Sequence, residues 1–80
     1  MNEWKQRNKR LQDYYNHYLL ADNQEERRTA LVNIQQELSW GPFLFICSEK
    51  KIPLIQISNR GLDDKTIECI NDIDIIANGV

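Results

Sequence analysis

Eighty residues are read as one domain, with 10 Lys+Arg against 12 Asp+Glu and a net charge of −2. At 41% apolar and 28% charged, the composition is that of a globular chain rather than a disordered one. No apolar run is long enough to span a membrane, two cysteines are too few for a disulfide scaffold, and a pI near 5.3 argues against a nucleic-acid coat.

Residues 2–20 carry a helical period. With Trp4 at zero and 100° per residue, Leu11, Tyr14, Tyr15, Tyr18 and Leu19 share its arc, which predicts a core-facing stripe. Ala21-Asp22-Asn23 is a short joint, and Asp22 with Glu25 or Asn23 with Glu26 forms a capping box. Residues 24–38 then repeat Ala30, Leu31, Ile34 and Leu38 at helical spacing. So short a joint predicts an antiparallel helical hairpin.

Ser39-Trp40-Gly41-Pro42 stops the second helix. Phe43 to Cys47 is apolar on alternate positions of both parities, which reads as a central, doubly covered strand. Ser48 to Lys51 is a polar turn. Ile52 to Ile57 follows as a second strand, with Pro53 placing it at an edge. Asp63 caps a third helix, and Leu62 with Ile67 has the spacing of a hydrophobic staple. Continued past Asp72, that helix would put Asp74 on its buried arc and Ile75 on its acidic face. A buried, unpaired carboxylate is costly, so the helix is expected to end near Asp72 and Ile73 to Ala77 to form a short third strand. The expectation is an α+β domain, α-α-β-β-α-β, with strand order 2-1-3.

Few residues carry chemistry. His17 is the sole histidine and falls outside the apolar arc, so it reads as a solvent-facing helix residue with no nucleophile beside it. Cys47 and Cys69 read as buried reduced thiols, with a disulfide between them left open. Asp63-Asp64 is explained by capping without a metal, and no phosphate-binding loop is present. No enzyme activity, metal or cofactor is expected. The absence of a basic-then-apolar leader sets a cytoplasmic location as the expectation.

A chain this short must commit nearly all its large apolar side chains to one core, so its function should lie on its surface. Asp64, Glu68 and Asp72 recur at four-residue spacing as an exposed acidic stripe. Trp4, Tyr14 and Tyr18 are polar-tipped aromatics suited to a surface half in the core and half at an interface. These six residues are the candidate partner-binding set. They support a small protein-binding regulator of the inhibitor, antitoxin, immunity or adaptor type, which covers a partner protein. Lys5, Arg7, Lys9 and Arg10 with Lys50-Lys51 give a weaker nucleic-acid reading with a hairpin wing. Exposed strand edges would allow a structural homodimer. No membrane partner is expected.

Overall fold

The computed structural model describes residues 3–49 and 61–79. Four helices hold nearly all of them: α1 (Glu3–Leu20), α2 (Gln24–Leu38), α3 (Gly41–Glu49) and α4 (Asp64–Asn78). No strand element occurs among the described residues, so the expected α+β fold is corrected to a helical one. The Ile52 to Ile57 strand and its Lys50-Lys51 turn lie outside the described residues. The order 2-1-3 falls in any case, because its other two strands are helices.

α1 and α2 form the expected hairpin. Asn23 is the α2 cap, its side chain accepting from Glu26 N at 2.9 Å, while Glu26 Oε2 reaches back to Asp22 N at 3.2 Å. Glu26 N, one of the orphan donors of the first turn, is thereby satisfied, and the Glu26 carboxylate ties down the residue before the cap. α4 packs on α1, and α3 touches α2 and α4, so the four helices close a ring in chain order. Leu11, Ile34, Leu38, Phe43, Ile70 and Ile73 fill the middle.

α3 replaces the expected central strand. A continuous apolar run has no period of its own and fits either element. Pro42 decides toward a helix here: in a first turn its fixed φ is already helical and its missing N–H is not needed. Leu44 N donates to Trp40 O at 2.8 Å, which starts the ladder. Phe43 and Cys47, four apart, face inward, and Phe45 is turned out at 66% exposure. A doubly covered strand would have hidden it.

α4 replaces the expected third strand by running on through Ile73 to Asn78. The obstacle was Asp74 on the buried side, and the structure removes it by pairing. Asn8 Nδ2 donates to Asp74 Oδ1 at 2.8 Å, and Asn78 Nδ2 donates to the same oxygen at 3.1 Å. Gln12 Nε2 in turn donates to Asn8 Oδ1 at 3.1 Å and to Ile70 O at 3.2 Å. A polar chain thus stitches α1 to α4 beside the apolar core, and the carboxylate is not left unpaired.

The reading of Cys47 and Cys69 as reduced thiols is also corrected: they form a disulfide, with Cα atoms 5.8 Å apart. Both are almost fully buried, so the bond ties α3 to α4 from inside the core.

Candidate functional site

The aromatic residues of α1 divide between two structural tasks. Trp4 meets Trp40 and Phe43 edge-on, with ring centroids 5.7 and 5.3 Å away, and Trp40 meets Phe43 at 4.9 Å. This T-shaped cluster fixes the start of α1 on the α2–α3 corner. Tyr18 works at the other end. Its hydroxyl accepts from Leu62 N at 3.2 Å and from Arg27 Nη2 at 3.1 Å, which holds the chain entering α4. Gly61 beside it has φ +118°, and a Cβ there would collide with the Tyr18 hydroxyl and the Arg27 guanidinium. Tyr14 is half-buried, edge-on to the exposed ring of His17 at 6.4 Å. Trp4, Tyr14 and Tyr18 are half-buried and pack against the core, Trp4 near the start of α1 and the two tyrosines toward its end. Leu19, expected on the stripe, is 57% exposed.

Two of the N-terminal cations are engaged. Arg7 pairs with Glu3 at 3.1 Å and lies over the Trp40 ring at 4.6 Å. Glu37 Oε1 sits 4.0 Å from Arg7 Nη1 and 3.9 Å from Arg10 Nε, within ion-pair range but beyond hydrogen-bond reach. The basic end of α1 thus serves the α1–α2 seam.

The acidic stripe is present on α4. Asp64 and Glu68 are exposed and Asp72 is half-buried. Glu68 and Asp72 also take part in interactions within the chain. What the sequence reading missed is the apolar company of these acids. Because α4 continues, Ile75 falls on the acidic face as the wheel requires and is 70% exposed, with Ile76 at 43%. Ile75 and Ile76 line a groove of about 350 Å³ with Ile46 and Glu49 of α3 and Asp72. Phe45 stands one turn before Glu49 on the outer side of α3. The result is an apolar groove edged by carboxylates, in which Ile46, Glu49, Ile75 and Ile76 stand with the predicted Asp72, while Phe45 is exposed on the outer side of α3. The signal lies in the sequence: a helix continued past Asp72 puts Ile75 among the acids.

A more spacious groove of about 630 Å³ lies at the α1–α2 turn. Polar residues, among them His17, Asn23, Glu25, Glu26 and Thr29, alternate in its walls with Leu20, Ala21 and Ala30. Three of the five residues lining the α3–α4 groove are isoleucines, whereas Leu20 is the one large aliphatic side chain among the nine lining the α1–α2 groove, so the α3–α4 face is the stronger candidate. Among the described residues no three His, Cys, Asp or Glu side chains are placed to hold a metal ion, and no helix is long and apolar enough to cross a membrane. Compared with protein families, curated proteins and solved structures, the chain gives no match.

Proposed function

We propose that this protein is a non-enzymatic protein-binding regulator, of the inhibitor, antitoxin, immunity or adaptor type, and that it covers its partner with the outer face of α3 and α4. The observation that carries this reading is that the exposed Ile75 and Ile76 meet Ile46 in one groove between α3 and α4, on a chain with little apolar surface to spare. Leaving Ile75 70% exposed forgoes burial energy that a small domain needs. Contiguous exposed apolar side chains with a polar rim are the usual form of a docking surface. The predicted acids keep a part in it as that rim, which steers a basic partner and sets register. Nucleic acid is disfavoured, because Arg7 is engaged with Glu3 and the Trp40 ring and the α3–α4 groove carries Glu49 and Asp72. The Cys47–Cys69 bond favours an oxidising compartment over the cytoplasm as the place of work.

The test is capture from the source cells on immobilised protein, then titration of the purified captured protein against wild type and Ile75→Glu. The reading expects a stoichiometric complex with wild type and affinity lowered at least about ten-fold in the variant. Equal binding to both would overturn it.

A further inference from the structure

The α3–α4 groove has a definite chemistry: its apolar walls are Ile46, Ile75 and Ile76, and its charge comes from Glu49 and Asp72. Resting on the docking role proposed above, we infer that the segment of the partner protein seated there is a basic amphipathic helix, with apolar side chains one turn apart against the isoleucines and flanking Lys or Arg against Glu49 and Asp72.

Three observations select this occupant. An extended peptide would need a sheet edge for its backbone hydrogen bonds, and the described residues contain no strand element. The groove runs between two helices, and a helix supplies its own backbone bonds and presents only side chains. A second copy of the chain is disfavoured by charge: a two-fold interface sets each patch against itself, bringing Glu49 and Asp72 of one copy toward those of the other. The same carboxylates repel phosphate backbones and anionic bilayers. Asp72 already has an interaction within the chain, so Glu49, at the meeting of the groove and the Phe45 face, is the cleaner probe of charge.

The experiment uses a synthetic peptide of about five helical turns with Leu on one face and Lys on the other, titrated into the isotope-labelled full chain. Controls are the same composition scrambled and the same pattern with Glu in place of Lys. Saturable binding of the Leu/Lys peptide is expected, with amide shifts centred on Glu49, Ile75 and Ile76. Ile75→Ser and Glu49→Lys should each weaken it about ten-fold, and added salt should weaken it for wild type more than for Glu49→Lys. Both positions are exposed, so unchanged circular dichroism confirms that the variants are folded. Equal binding of the scrambled or Glu peptide, shifts centred elsewhere, or no binding overturns the inference. So does a concentration-dependent dimer that Ile75→Ser abolishes, since a second copy would then occupy the face. A captured partner that needs Ile75 but presents no basic helix overturns this inference and leaves the docking role standing. A partner indifferent to Ile75→Glu overturns the role itself.

Discussion

Asn8 is 6% exposed, on the side of α1 that meets α4, and its amide holds the Asp74 carboxylate. Asn8→Leu strips that carboxylate of one partner, and the expected loss of stability is about 1–3 kcal/mol by urea unfolding. Asn8→Leu combined with Asp74→Leu should recover much of it, because a matched apolar pair replaces a matched polar one. A double variant as weak as the single would mean that the pair does not act as a unit. Tyr18 and Gly61 form a second such point. Gly61→Ala needs a positive φ and space that the Tyr18 hydroxyl occupies, and is expected to cost about 1–3 kcal/mol. Tyr18→Phe keeps the ring and loses two hydrogen bonds, so its cost should be nearer 1 kcal/mol. Asp63 supplies the pH dependence. Hydrogen bonds from the Thr66 side chain first, and from its backbone N–H, hold the Asp63 carboxyl below its ordinary value. Its stabilisation is complete above the unfolded value of about 3.9 and is lost as pH falls through the lowered native one. Asp63→Asn still caps α4 but does not titrate. The stability difference between the two proteins should therefore shift against wild type as pH drops below about 4. A difference constant with pH would rule this cap out as the source.

α1 and α2 were legible because each has a clear apolar period, and α2 also has a capping box at one end. α4 was legible at its start, where Asp63 accepts from Thr66 N at 2.7 Å. Its second half was not, because the partner that makes Asp74 tolerable is Asn8, 66 positions earlier, and no local pattern shows such a contact. α3 was misread for the opposite reason: a run apolar at every position says that the segment is buried but not which repeat it follows. The site suffered from both errors. The acids of α4 were found from their own spacing, whereas Phe45 and Ile75 were hidden inside supposed strands. α3 is also the element most dependent on a single contact, since Cys47 is one of its two fully buried residues and is bonded to Cys69 across a separation of 22 residues. Reduction should lower the unfolding free energy by about 3 kcal/mol through the chain entropy regained by the unfolded state. The check is chemical unfolding with and without reductant, and equal midpoints would show that the bond contributes nothing.

The whole molecule measures 35 × 27 × 17 Å, and its short dimension is less than two full helix diameters of about 10–12 Å each. Such a body leaves little room beside its packed core for an enclosed, separately lined cleft, which is why a surface role is proposed. The surface proposed is the α3–α4 face, where apolar side chains that the core did not take stand among carboxylates. The most direct measurement is the map of amide shifts in isotope-labelled protein on addition of the captured partner. Changes centred on Phe45, Glu49, Asp72, Ile75 and Ile76 are expected. Changes centred instead on His17, Leu20 and Thr29, at the α1–α2 turn, would contradict the assignment.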